Sequence, residues 1–193
     1  MKLVILDYGV GNIKSIQFAF NRLGVSAVLS NDVEEIKTAD KIIFPGVGEA
    51  SSAMNKLRSV GLVEVIKQLK QPVLGICLGM QLMCAKTEEG QTKGLGIFNV
   101  AVKRFSTSVK VPQMGWNTIA NLKSKLFEGI SNKEHMYLVH SYYVEENENA
   151  IATTEYEFIY ASAIQKDNFY GVQFHPEKSG KSGERILQNF LNL

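Results

Sequence analysis

Cysteine is scarce in this chain: 193 residues hold two, Cys77 and Cys84, and no Cys-x-x-Cys pair. A zinc ribbon and a dithiol redox motif are thereby excluded. If both cysteines lie on one helix, they stand roughly 10 Å apart along its axis. A disulfide needs Cα atoms within about 7 Å. Reduced thiols point to a cytoplasmic setting. Long apolar runs are missing as well. None approaches a membrane span, and Asp7 ends the opening Leu3-Val4-Ile5-Leu6 too early for a signal peptide. Neither sign of charge dominates, since Lys+Arg 21 against Asp+Glu 19 leaves only +2. That balance gives no reason to expect nucleic acid or an anionic membrane as partner. No Gly-Lys-Ser or Gly-Lys-Thr phosphate loop occurs. In the turn Asp7-Tyr8-Gly9-Val10-Gly11-Asn12, Lys14 takes the place of a dinucleotide fingerprint's third glycine. Nothing calls for a nucleotide cofactor or a metal.

What is present is ordinary globular composition, 45% hydrophobic and 21% charged, which supports a substantial core. The first half alternates short apolar runs with helical patterns. Leu3 to Leu6 reads as a buried strand. Residues 12–23 put Ile13, Ile16, Phe20 and Leu23 on one helical stripe, stopped by Gly24. Strands are expected at 25–29, 42–44 and 72–76, with amphipathic helices at 50–57 and 62–69. The second half is β-rich, with strands expected at 97–105, 136–144, 151–154, 160–165 and 170–174, several of them antiparallel. A last helix over 183–193 carries Ile186, Leu187, Phe190 and Leu191 on one face. With no repeat and no long linker, the expectation is a single α/β domain over 1–193. Its central sheet is mostly parallel but mixed and is flanked by helices, with antiparallel strands in the second half.

The sharpest chemical signal is Gly75-Ile76-Cys77-Leu78-Gly79-Met80-Gln81. It follows an apolar strand and opens a helical pattern through Leu82, Met83 and Ala85, as a nucleophile elbow does. Small neighbours permit the sharp turn, and the helix N-terminus favours a thiolate at Cys77. The Leu78 amide is a candidate oxyanion donor. The plain alternative is a buried structural cysteine. Of three histidines, His135 falls in a polar turn and His140 could be a satisfied strand residue. His175 follows a strand directly. Pro176 biases His175 towards an extended backbone, and there Glu177, two residues on, shares its side. A carboxylate so placed can orient the imidazole. Pro45-Gly46-Val47-Gly48 also follows a strand, and its glycines leave the backbone free to turn amides towards an anion.

Together these segments resemble the triad-type, or class I, glutamine amidotransferases along essentially the whole chain. Within the family they are most similar to the glutaminase subunits of imidazole glycerol phosphate synthases. Asp-Tyr-Gly-Val-Gly-Asn at 7–12, Pro-Gly-Val-Gly at 45–48, Pro-Gln-Met-Gly-Trp-Asn at 112–117 and His-Ser-Tyr at 140–142 carry that likeness. Some members have His where this chain has Gln113. The resemblance implies that Cys77 attacks the glutamine amide and forms a thioester, with His175 as acid and base and Glu177 orienting it. Amides at Val47 and Leu78 would form the oxyanion hole. Gly46, Gly79, Gln81, Glu89, Ser141 and Tyr142 would bind glutamine. It also implies a separate (β/α)8-barrel cyclase as heterodimer partner, receiving ammonia past Asn12, Trp116, Tyr137 and Lys178. Three other readings stand beside this one: a paralogue serving another synthase, such as surface-polysaccharide sugar amidination; a thiol hydrolase acting on something other than glutamine; and a scaffold that has kept the fold without the chemistry.

Overall fold

Leu3, Val4, Ile5 and Leu6 form strand β1 (Leu3–Leu6), and all four are fully buried. A strand with both faces covered needs no polar side. The structure, a computed structural model, describes residues 1–193. After β1 come α1 (Ile13–Arg22), β2 (Ala27–Ser30), α2 (Val33–Lys37), β3 (Lys41–Phe44), α3 (Ala50–Ser59), α4 (Leu62–Gln68), β4 (Val73–Ile76) and α5 (Leu78–Met83). The second half holds β5 (Cys84–Thr87), β6 (Thr92–Lys93), β7 (Phe98–Arg104), β8 (Gln113–Ile119) and β9 (Glu134–His140). It continues through β10 (Tyr142–Val144), β11 (Ala150–Tyr156), β12 (Phe158–Lys166), β13 (Phe169–Val172) and α6 (Gly180–Asn192).

Eleven strands make one mixed sheet in the order β2-β1-β3-β4-β13-β12-β10-β7-β5-β6, with β11 paired to β12. The first five of that order run parallel; β12 runs antiparallel to β13, and β10 runs antiparallel to β12. Alternation along each strand feeds two cores. Val4, Leu6, Ile42 and Phe44 pack with Met54, Leu57, Leu62 and Ile66 of α3 and α4. Leu3, Ile5, Ile43 and Leu74 pack with Ile16 and Phe20 of α1 and Ile186, Leu187 and Phe190 of α6. The α/β class and the mixed sheet are as expected.

Several local expectations need correction. The pattern after Cys77 was expected to stay helical through Ala85, but α5 stops at Met83 and Cys84 opens β5. Its late carbonyls are captured from a distance: the amides of Leu95, Ile97 and Gly96 donate to Leu82, Met83 and Cys84 at 2.8, 2.9 and 3.0 Å. Gly94 permits this approach, because a Cβ there would collide with the Cys84 carbonyl. Cys84 is therefore a buried strand residue, and both cysteines are free thiols. The single strand expected over 136–144 is two strands in two sheets. β9 pairs with β8 in a separate two-stranded sheet, and β10 joins β7 and β12 in the main one. This places His135 on β9, with its side chain exposed, and not in a turn. The strand β8 and the five-residue α2 escape a periodicity reading. β8 alternates too few apolar residues, and α2 is too short to show a helical period.

His140 ends β9 and is buried. Its Nδ1 lies 2.8 Å from the Tyr142 carbonyl and its Nε2 lies 3.2 Å from the Tyr160 hydroxyl. Burial holds its pKa down at about 4. The unfolded chain takes up this proton near pH 6.5 and the native chain does not, so stability falls as pH drops below 6.5. The loss between pH 7 and pH 5 should be about 2 kcal/mol. Urea unfolding at the two pH values should show it as the difference between the wild-type chain and His140→Gln, because His175, with its raised pKa, contributes with the opposite sign. Backbone fit gives a second expectation. A Cβ on Gly79 would overlap the Phe44 carbonyl, so Gly79→Ala should lose on the order of 3 kcal/mol. Gly75→Ser would not serve as a control, since a Cβ added at Gly75 would meet Met83 Cε at 2.5 Å; a substitution on the exposed face of α2, such as Glu34→Ala, should move the urea midpoint far less.

Candidate active site

β4 and β13 run side by side in parallel, with Ile76 opposite Val172. Their C-terminal ends thus deliver Cys77 and residues 173–175 to one place, at the edge where parallel sheets gather ligands. The Cys77 amide donates to the Val172 carbonyl at 2.8 Å. Cys77 itself adopts φ 52°, ψ −111°, a conformation that costs a non-glycine residue about 1–3 kcal/mol. Tight contacts impose it. A Cβ on Gly75 would lie 2.8 Å from the Met80 amide nitrogen, and one on Gly46 would lie 2.6 Å from that of Gly79. The elbow turns the thiol out of the sheet into an open cavity of ≈ 350 Å³, within the range of small-ligand sites.

His175 is buried, with an extended backbone of φ −100°, ψ 94°. Its amide donates to the Tyr137 carbonyl at 2.9 Å, and its carbonyl accepts from Ser179 Oγ at 2.6 Å. Glu177 Oε1 stands 2.8 Å from Nδ1, and the His175 ring lines the same cavity as Cys77. Burial pushes the His175 pKa down. Hydrogen bonds to Cys77 and Glu177, with the charges of both groups, outweigh burial and raise it to about 10. The ring therefore holds its proton at neutral pH. Glu177 is almost completely buried, and its Oε2 has no partner, so the imidazolium is its principal compensation.

The cavity is lined by Val47, Gly48, Cys77, Leu78, Gln81, Glu89, Pro112, Val139, His140, Ser141, Tyr142, His175 and Lys178. It brings together most of the residues singled out in the sequence. Leu78 is the first residue of α5, so its amide has no intrahelical acceptor. Glu89 Oε2 accepts from the Ala50 amide at 3.0 Å, and burial raises its pKa. Gln81 spends its amide protons on the Tyr142 carbonyl at 2.9 Å and on Gln173 Oε1 at 2.8 Å. Its own oxygen is thus left as an acceptor.

Gly46 and Gly79 are not part of the lining; they face each other behind the loop and let it close on α5. Trp116 is 57% exposed on β8, edge-on to Tyr137 at 6.1 Å between ring centres. Lys178 Nζ lies 5.8 Å over the Tyr137 ring. Asn12 precedes α1, on a partly buried turn. Three residues at the site carry no role in the sequence analysis: Gln173, Pro112 and Val139, whose carbonyl lies 3.9 Å from Cys77 Sγ. Gln173 had a signal, since it lies two residues before His175 and shares its side of the chain. No group of three or more His, Cys, Asp or Glu side chains could hold a metal ion, and no helix is long and apolar enough to cross a membrane.

Comparison with known proteins agrees with this geometry. The family model described as glutamine amidotransferase class-I matches residues 4–193. The imidazole glycerol phosphate synthase subunit HisH of Bacteroides thetaiotaomicron is 55% identical, with 100% of both chains covered. Its namesake in Haemophilus influenzae is 47% identical over 99% of this chain and 97% of its own. Among solved structures, one described as a glutamine amidotransferase superposes with a TM-score of 0.76 at 18% identity, covering 98% of this chain and 97% of its own; it speaks to the fold alone. From residue 4 to its last residue, this chain belongs to the class-I glutamine amidotransferase family.

Proposed function

We propose that residues 1–193 act as one glutaminase domain, the ammonia-supplying subunit of an imidazole glycerol phosphate synthase in histidine biosynthesis. The observation that carries this reading is the buried thiol, imidazole and carboxylate series of Cys77, His175 and Glu177 at an amino-acid-sized cavity. The full-length likeness to synthase subunits named HisH supports the pathway.

Cys77 attacks the side-chain carbonyl carbon of glutamine as a thiolate, its proton already resting on His175. The oxyanion that forms is met by the amides of Leu78 and Val47. As the tetrahedral centre collapses, His175 gives its proton to the departing nitrogen, releasing ammonia and leaving a glutamyl thioester. His175 then takes a proton from water, hydroxide adds to the thioester, and glutamate leaves as the thiol is restored. Glu177 holds the ring in orientation and offsets its charge. Glu89 receives the substrate ammonium group, Gln81 accepts from it through its oxygen, and Ser141 and Tyr142 flank the same end.

Ammonia released into water would become ammonium, which lacks the lone pair an acceptor needs. A partner must therefore receive it by a shielded path, and a (β/α)8-barrel cyclase subunit suits that role. The exposed Trp116 and Met114 form the docking anchor, with Tyr137, Lys178 and Asn12 beside the ammonia exit.

The test is glutamate release by the chain assembled with its synthase partner and the histidine-pathway ribonucleotide. Cys77→Ala should abolish it, and His175→Ala should lower kcat by about 10²–10⁴. Full glutaminase activity in a stably folded Cys77→Ala variant would refute the mechanism. Glu89→Gln should act on binding, raising the KM for glutamine about tenfold with a smaller change in kcat.

A further inference from the structure

Gln173 sits completely buried between β13 and His175. Its amide donates to the Ser162 carbonyl at 2.8 Å, which fixes the backbone. Its side chain Nε2 lies 3.6 Å from Cys77 Sγ. The polarity of this contact follows from its neighbours. The Tyr142 carbonyl can only accept, so Gln81 must present its NH2 group there, at 2.9 Å. The same NH2 group then faces Gln173 at 2.8 Å and requires an oxygen. With its oxygen committed to Gln81, Gln173 has only its NH2 group to turn towards the sulfur. A backbone carbonyl at the glutamine end of the cavity thereby orients, through two buried amides, a hydrogen-bond donor aimed at the nucleophile. His175 approaches the same sulfur from two residues further along the extended segment, while Phe174 between them points into the core.

We propose that Gln173 is a positioning residue for the nucleophile: its amide, oriented by Gln81, donates to Cys77 Sγ and holds the thiolate ready for attack. A donor favours the charged sulfur over the neutral thiol. It also occupies one side of the sulfur, so that attack proceeds from the side facing the cavity. Gln81 has a double part, since its oxygen is offered to substrate while its NH2 group sets Gln173. The inference rests on the glutaminase reading for its purpose but not for its test, because alkylation of Cys77 needs no glutamine.

Iodoacetamide modification of Cys77 in the full chain, followed by peptide mass spectrometry from pH 6 to pH 9, measures it directly. The fully buried Cys84 serves as the unreactive reference. Gln173→Met should slow alkylation about tenfold at pH 6.5, the worth of one hydrogen bond to a charged group. The deficit should close by pH 9, where alkaline solvent favours the charged sulfur with or without the Gln173 donor. In the assembled synthase the same variant should lower kcat about tenfold and change KM less than threefold. Gln173→Glu, which keeps the oxygen for Gln81 but sets a carboxylate against the sulfur, should be slower still. A deficit equal at every pH, or none, would overturn the proposal. If both variants fail to fold, the Cys77→Ala variant decides: the Gln173 side-chain amide protons should shift in its NMR spectra relative to the wild-type chain, and unmoved resonances would overturn the proposal. Loss of the glutaminase reading would appear separately, as an assembled wild-type synthase that releases no glutamate.

Discussion

The close approach of Gly79 to the Phe44 carbonyl, and of Gly46 to the Gly79 amide, is the constraint on which this site rests. It brings the end of β3 against the first turn of α5 with no side chain between them. Only with that contact made must the backbone at Cys77 turn into positive φ, which aims the thiol out of the sheet. The neighbouring pair β4 and β13 completes the arrangement, because the Cys77 amide is tied to the end of the strand that carries His175. Strain at one residue is thus sustained by backbone contacts from three strands and a helix, a distribution that side-chain contacts alone would not supply.

Two buried histidines border the same cavity, and the protein drives their protonation in opposite directions. His140 meets a carbonyl and a hydroxyl, dipoles too weak to offset the cost of burying a charge, and its pKa falls to about 4. His175 meets Glu177 and Cys77, and its pKa rises to about 10 in spite of burial. The difference in partners, not in depth, separates a ring kept neutral from one that keeps its proton at neutral pH. The unpartnered Glu177 Oε2 belongs to this balance: a buried carboxylate with few donors draws its compensation from the imidazolium, which strengthens that bond.

Much of the fold could be read from residue order because its signals are local. The buried runs at Leu3 to Leu6 and around Ile42 to Phe44, the α1 stripe ended by Gly24 at φ 76°, and the α6 stripe each need only their own neighbours to be recognised. The misread segments 82–84 and 136–144 share one cause, pairing at long range. Leu82, Met83 and Cys84 continue a helical pattern, yet residues 94–97 capture their carbonyls and convert Cys84 to strand. Residues 136–144 look like one strand, yet β8 claims the first part and β7 the second. That split puts Trp116 on the small two-stranded sheet, opposite Tyr137. Gln173 was visible in principle through two-residue alternation with His175, but its neighbour Gln81 lies 92 positions away and gave it no local meaning.

Residue order alone establishes the alternation of elements, the elbow at Cys77 and the pairing of His175 with Glu177, because glycine spacing, apolar period and a proline act within a few residues of themselves. Which side chains meet the sulfur, how the two buried histidines hold their protons and where the cavity closes are settled by the folded chain. Those outcomes depend on desolvation and on contacts between segments far apart in the chain, and neither quantity exists until the sheet has formed.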